Sequence, residues 1–552
     1  MRRGLLKFAL LAVALVGVVA NGIAKNRNDF DLGRNMEIMI NLMHLLSTNY
    51  VDKIDADEMT RNAADGITSM LDPYTVFYTE KEWEEFERRT RGQYGGVGSL
   101  IRKKGDYVIF AEPYKGSPAD EAGLKIGDKI LAIDGQDMRN VDISKVSSLL
   151  RGEPNTTVTV TVERLISGKS EDIKIRRRRI FIPSVTYAGY VAEGVGYIRH
   201  ADFTESCYDH MRAAIKHLQS TGELKSLILD YRNNGGGYLS AAVDVLSLFV
   251  PKGTMVVEMR GRDGKTQKLY TDHEPLLPDT PLAVLVNGNS ASAAEIVSGA
   301  IQDLDRGVLL GQRSFGKGLV QSTLPVGYNS YVKLTTYKYY IPSGRCIQAI
   351  NFTTDGRAKP VADSLIQEFK TAHGRKVYDG GGIMPDKKVE PKYISTFAMV
   401  LSLMGIIDDF GDEYMKLNHD KQIDVANFSI TDKDYEEFVK LAMERDIPYK
   451  SESRIALEKL RSSLSKERND SLNEALDAID KGLKDDKRSN LETFRKEIVE
   501  LINQNLVLRY AYSKGVIINS LKDDLELAAA KELLANTAEY KHILTKQDTE
   551  RK

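Results

Sequence analysis

A serine and a lysine 25 positions apart, Ser292 and Lys317, are what remains when the chain is searched for side chains that could do chemistry. A serine hydroxyl attacks an amide only if a base takes its proton, and an unprotonated lysine is one base that can. Ser292 stands where the apolar run Leu282-Ala283-Val284-Leu285-Val286 gives way to a helical pattern, and Lys317 ends a turn flanked by glycines. The commoner arrangements fail one by one. Gly311 and Gly316-Lys317 have the spacing of a phosphate loop, but Gly318 occupies the place of the Ser or Thr that would hold magnesium. The stretch that follows, Leu319 to Pro325, is β-rich where a phosphate loop must open a helix. Gly288-Asn289-Ser290-Ala291-Ser292 begins like the Gly-x-Ser-x-Gly elbow of α/β-hydrolases and ends in serine. Ser463 to Lys466 falls in a charged helical pattern without the companion motifs of penicillin-binding proteins, and His-Glu-x-x-His is absent. Spacing alone assigns no role to the remaining pair, because Ser292-Ala293-Ala294-Glu295 is also a helix capping box and an isolated lysine is commonly a solvated turn residue.

The elements that would position this pair follow from periodicity. Met36, Ile40, Met43 and Leu46 recur at helical spacing in the segment 35–91, with a turn at Leu71-Asp72-Pro73. From Tyr94 to about Arg179 the pattern changes to short β runs such as Thr157-Val158-Thr159-Val160-Thr161-Val162, separated by Gly/Asp turns. From Tyr187 to about Pro385, apolar strands such as Ser226-Leu227-Ile228-Leu229-Asp230 alternate with helical patterns at 208–218 and 239–249, the order of an α/β layer fold with a buried sheet. Beyond Lys392, charged amphipathic stretches at 455–484 and 490–506 predict a helical C-terminal domain.

Composition bounds the rest. A chain of 552 residues, 42% hydrophobic and 28% charged, has length for several domains and the make-up of a folded, non-membrane body. With 77 basic against 78 acidic residues, no overall field attracts polyanions, so nucleic acid is excluded as the leading partner. Cys207 and Cys346 are the only cysteines and neither sits in a metal or redox motif, so no cofactor and no metal is expected. Arg2, Arg3 and Lys7 precede an apolar run from Phe8 to Ala20, and Gly22-Ile23-Ala24 offers small residues at cleavage spacing. This is the pattern of a secretory signal, with an uncleaved anchor as the alternative, so the body is expected to be exported, periplasmic or tethered to the inner membrane.

Gly95-Gly96-Val97-Gly98, Gly116-Ser117-Pro118-Ala119 and the stretch from Ala122 to Gly135 resemble a PDZ domain. That resemblance implies that Gly96, Val97 and Gly98 offer backbone N–H groups to a peptide's terminal carboxylate while the peptide adds as a strand. Ser99 replaces the usual second apolar residue of this loop.

Three further blocks, 229–237 (LDYRNNGGG), 289–296 (NSASAAEI) and 315–321 (FGKGLVQ), resemble in order and spacing the motifs of carboxyl-terminal processing, or tail-specific, serine peptidases. The similarity runs from about residue 35 to 390, and the helical tail lies outside it. It implies a crotonase-like protease core with Ser292 as nucleophile, Lys317 as general base and Gln321 orienting the lysine. It also implies an oxyanion hole from the N–H groups of Ala293 and of Gly236 or Gly237. Bringing a lysine from ~10.4 to about 7 takes roughly 4 to 5 kcal/mol, which burial against an apolar and glycine-rich wall would supply. Gly235 departs from the family's usual proline. Asp230, Arg232 and Asp303 are candidates for a supporting polar network beside the site, with ordinary structural ion pairs as the favoured alternative.

The expected organisation is a signal or anchor over 1–24, a helical segment over 25–93, a PDZ domain over 94–180, a serine protease core over 181–391 and a helical domain over 392–552. The expected fold is thus multidomain α/β, with the mainly-β PDZ domain inserted. The expected activity is endopeptidase cleavage of proteins recognised by their free C-termini, with the helical tail available for self-association or a regulatory partner. Two other readings are a noncatalytic PDZ scaffold and an acyl-CoA enzyme of the crotonase type.

Overall fold

The computed structural model describes residues 27–90, 92–352, 358–467, 469, 471–483 and 486–545. The signal or anchor segment 1–24 lies outside the described residues. Among those described, no helix is long and apolar enough to cross a membrane. The chain divides into two compact units, one comprising the described parts of 1–80, 323–334 and 352–357, the other the remainder.

The first unit holds helices α1 (Arg27–Asn49) and α2 (Ala56–Thr68) and strand β1 (Val76–Tyr78), which pairs antiparallel with 331–333. Asp55 caps α2 through the N–H groups of Asp57 and Glu58. The turn at Asp72 is an Asx turn, its carboxylate accepting from the N–H groups of Tyr74 and Thr75 at 2.9 Å, and it leads into a strand rather than directly into a helix. The helical stripe read from the sequence is real, yet Met36, Ile40 and Leu46 stay exposed.

In the second unit the β-rich segment forms a sheet of β2 (Ser99–Lys104), β3 (Tyr107–Pro113), β4 (Lys129–Ile133), β5 (Thr157–Glu163) and β6 (Ser170–Arg176), in that spatial order, with helix α3 (Ile143–Leu150). Alternation explains its core: Val158, Val160 and Val162 of β5 point inward and are fully buried with Phe110, Ile130 and Val146, while the threonines between them face out. β2 is one of the two edge strands in this order. Its Lys104 reaches Asp412 at 2.5 Å and Asp408 at 2.8 Å in helix α4 (Ile406–Asn418) of the C-terminal region. Burial alone would push the Asp408 carboxyl up, but Arg102, Arg509 and Lys104 around it hold it well below the usual carboxylate range.

The α/β part is a sheet in the order β7 (Val185–Ala192), β8 (Val195–His200), β9 (Ser226–Asp230), β10 (Leu282–Val286), β11 (Val308–Gly311) and β12 (Lys387–Lys388), parallel from β8 onward. Strands buried on both faces need unbroken apolar runs, which is why every residue of β9 and β10 is buried. One face packs under helices α5 (Cys207–Thr221), α6 (Leu239–Leu246) and α7 (Ala293–Asp303). The other is covered by α8 (Leu525–Ala535) and α9 (Thr537–Thr545), whose Leu527, Ala530, Leu533 and Tyr540 meet Ile228, Ala283, Leu285 and Leu310. Cys207 and Cys346 are free thiols, and burial pushes the Cys207 thiol up to about 12.

Asp303 pairs with the fully buried Arg345 at 2.7 Å, whereas Asp230 pairs with Arg232, so the three expected network residues belong to two separate clusters.

Candidate active site

The site forms where three backbone segments meet: the loop after β9, the turn from β10 into α7, and the glycine-flanked turn before the strand Leu319–Gly327. Ser292 begins α7 with φ 56° and ψ −116°. Its capping box is formed, but an ordinary cap residue sits in the β region, and a serine forced to positive φ is strained. Strain of this kind at a strand-to-helix turn marks a side chain being presented rather than a helix merely being closed.

Glu295 is the fixed point of the site. Its side chain is fully buried, and its Oε2 accepts both the Ser292 N–H at 2.8 Å and the Lys317 N–H at 2.9 Å. Its Oε1 accepts the Gly316 N–H at 2.7 Å and the Ser314 hydroxyl at 2.6 Å. Burial pushes the Glu295 pKa up, and the four donors pull it back. A second link crosses the same gap: the single Tyr339 hydroxyl proton is given mainly to the Lys317 carbonyl at 2.7 Å and shared with the Ser292 carbonyl at 3.3 Å. One carboxylate and one phenol therefore fasten the backbone of Ser292 to that of Lys317. Lys317 itself is half-buried between the buried Gly316 and Gly318.

The loop after β9 supplies the third side. Asn234 is fully buried; its amide donates to the His200 carbonyl at 2.8 Å and its Oδ1 accepts the Gly236 N–H at 2.9 Å. The Gly236 carbonyl accepts the Phe203 N–H at 3.0 Å, and the Tyr238 N–H donates to the Phe203 carbonyl at 2.8 Å. These bonds engage the Gly236 N–H and leave the Gly237 N–H outside the bridge. Gly235 has open space around its Cα, so the turn that proline would stiffen is held here by Asn234. Gly236 has φ +100°, and a Cβ there would lie 2.8 Å from the Ser292 Cβ and 2.9 Å from the Ala293 nitrogen. Gly236→Ala is accordingly expected to lower kcat by about 100-fold or more, since displacing a reacting group by about 1 Å costs that much. Steady-state peptide hydrolysis by the variant checks this, with circular dichroism confirming its fold.

The structure thus brings together Ser292, Lys317, Gly236, Gly237 and Ala293. Gln321 lies on the strand leaving Lys317, and its amide nitrogen donates to the Thr335 hydroxyl at 3.1 Å. Gly96, Val97 and Gly98 lie in the β2–β6 module. There the carbonyls of Val97 and Gly98 accept the N–H groups of Ala119 and Tyr114, which turns the N–H groups of Gly98 and Ser99 the opposite way across their planar peptides. The roles of Tyr339 and Asn234 were not read from the sequence; a tyrosine 47 positions beyond Ser292 gives no local signal.

Comparison with known proteins gives the family of the chain and the identity of its domains. Residues 194–357 match the model "Peptidase family S41", 109–164 match "PDZ domain", and 397–534 match "Probable PDZ-protease, C-terminal helical domain". A "Carboxy-terminal-processing protease" of Bartonella bacilliformis is 34% identical over 62% of this chain and 79% of its own. A "Probable CtpA-like serine protease" of Staphylococcus aureus (strain COL) is 33% identical over 63% of this chain and 70% of its own. A solved "Photosystem II D1 C-terminal processing protease" is 27% identical, covering 65% of this chain and 93% of that one at a TM-score of 0.35. These matches define a serine-type peptidase carrying a PDZ domain. The chain belongs to peptidase family S41, among the carboxy-terminal-processing proteases.

Proposed function

We propose that this chain is an exported endopeptidase that holds a protein's C-terminal tail in its PDZ groove and cuts the chain with a Ser292/Lys317 dyad on a crotonase-like core. The observation that carries the dyad is the Glu295 carboxylate shared by the two backbone N–H groups, which fixes nucleophile and base relative to each other. Lys317 Nζ takes the Ser292 hydroxyl proton as Oγ bonds to the scissile carbonyl carbon. The N–H groups of Gly237 and Ala293 hold the oxyanion, because that of Gly236 is already given to Asn234. The C–N bond then breaks as Lys317 returns the proton to the leaving amine. Water, deprotonated by the same lysine, releases the acyl group and restores the serine. Gln321, on the strand leaving Lys317, orients the amine.

Tail capture is supported by the unpaired edge of β2 and by the outward N–H groups of Gly98 and Ser99, with Gly98 at φ +78° where a Cβ would strike the Ser117 Cβ. Export rests on the basic and apolar N-terminal pattern. The test is cleavage of an unfolded protein with an apolar C-terminus, free or amidated. Amidation is expected to lower kcat/KM at least tenfold, chiefly through KM. Equal cleavage of both forms would remove the carboxylate-reading role.

A further inference from the structure

The loop that carries Gly236 and Gly237 is anchored from outside the family S41 match. Arg232, two residues beyond β9 and only 14% exposed, is ringed by three carboxylates. Its guanidinium donates to Asp230 through Nε at 2.9 Å and Nη2 at 2.7 Å. It donates to Asp524 through Nη1 at 2.9 Å and Nη2 at 2.6 Å, and to Glu526 through Nη1 at 3.1 Å. Burial alone would raise the Asp230 carboxyl, but the guanidinium holds it below its ordinary value. Asp230 is further fixed by the Tyr197 hydroxyl at 2.6 Å.

The two outer acids stand at the start of α8, in the C-terminal helical domain. Asp524 also caps α8 through the Leu527 N–H at 2.8 Å, and Glu526 also accepts the Gln312 amide at 3.0 Å, one residue past β11. The helix they belong to is seated on the central sheet by Leu527, Ala530 and Leu533. The clamp is thus rigid on both sides: sheet below, packed helix above, and the arginine between them at the root of the loop.

We infer that Asp524 and Glu526 are positioning residues for the peptidase site: through Arg232 they fix the 231–237 loop, and so place the Gly237 N–H relative to Ser292. The C-terminal helical domain then sets oxyanion geometry and is a working part of the catalytic core. This rests on the dyad reading above.

Asp524→Asn, Glu526→Gln and the double variant test it in the full chain. Asparagine caps helices as well as aspartate, and both changes are isosteric, so folding is expected to survive, checked by thermal unfolding. Both single variants are expected to lower kcat about three- to tenfold and the double about 10- to 100-fold, with KM within twofold of wild type. A peptide aldehyde, whose hemiacetal oxyanion would occupy the hole, is expected to lose affinity in the same proportion, while tail-peptide binding stays unchanged. Folded variants with kcat within twofold of wild type, or a loss confined to KM, would overturn the inference. If the double variant fails to fold, the two single variants decide by the same criterion. Hydrolysis that survives Ser292→Ala would instead count against the dyad itself.

Discussion

Ser292→Ala and Lys317→Ala are each expected to abolish peptide hydrolysis, lowering kcat by about 10⁴-fold or more, with the fold intact. The magnitude follows from what each atom does: without Oγ no acyl-enzyme forms, and without Nζ the hydroxyl proton has no acceptor at the moment of attack. In other serine peptidases a single loss of this kind costs about as much as losing the whole catalytic set, so the double variant should be no slower than either single one. Substrate binding should change little, because neither group is needed to seat an extended peptide. Single-turnover kinetics together with tail-peptide titration separate the two effects. A Lys317→Ala enzyme with wild-type kcat would transfer the base's role elsewhere.

Glu295→Gln is expected to lower kcat by about 100-fold and also to weaken the fold. The glutamine amide is the shape of the carboxylate but carries hydrogens on one side. It must turn them toward either the Ser292 and Lys317 N–H groups or the Gly316 N–H and Ser314 hydroxyl. Donors then face donors in a fully buried place, which costs about 1–3 kcal/mol for each group left unsatisfied. The turns bearing nucleophile and base move apart, and a shift of about 1 Å accounts for the rate. Urea denaturation reads the stability loss and steady-state kinetics the catalytic one. Ser314→Ala, which removes one donor to Glu295 and the acceptor of the Ile383 N–H but leaves the Oε2 bridge untouched, should lose under tenfold in kcat.

How much of this was legible in the sequence depends on where the partners lie. The strands Leu227 to Asp230 and Leu282 to Val286 were readable because a sheet covered on both faces demands unbroken apolar runs. The PDZ module was readable because its glycines and alternating valines occupy fixed offsets. Ser292 and Lys317 were singled out by elimination and by the resemblance of their flanking blocks. What joins them was not legible: Glu295 holds backbone N–H groups, which every residue but proline possesses, and Tyr339 shares one hydroxyl proton between two backbone carbonyls. Such contacts leave no trace in residue type. The same holds for Asn234, which takes the Gly236 N–H that sequence reasoning offered to the oxyanion. Ser292-Ala293-Ala294-Glu295 shows both sides of this: the capping box is real, and the same glutamate ties the cap to the lysine's turn. The C-terminal helical domain is legible as amphipathic helices, but amphipathic periodicity says that a face is buried and not against what. Leu527, Ala530 and Leu533 complete the core sheet, while the same region's α4 holds an edge strand of the PDZ module.

The central claim is that Ser292 is activated by Lys317, and covalent labelling tests it most directly. The full chain, Ser292→Ala and Lys317→Ala are treated with a serine-reactive phosphonate, digested and mapped by mass spectrometry, and the labelling rate is followed over time. The account predicts one adduct, on Ser292, absent from Ser292→Ala and slowed at least 100-fold in Lys317→Ala. An adduct on another serine, or labelling of Ser292 at an undiminished rate in Lys317→Ala, would contradict it.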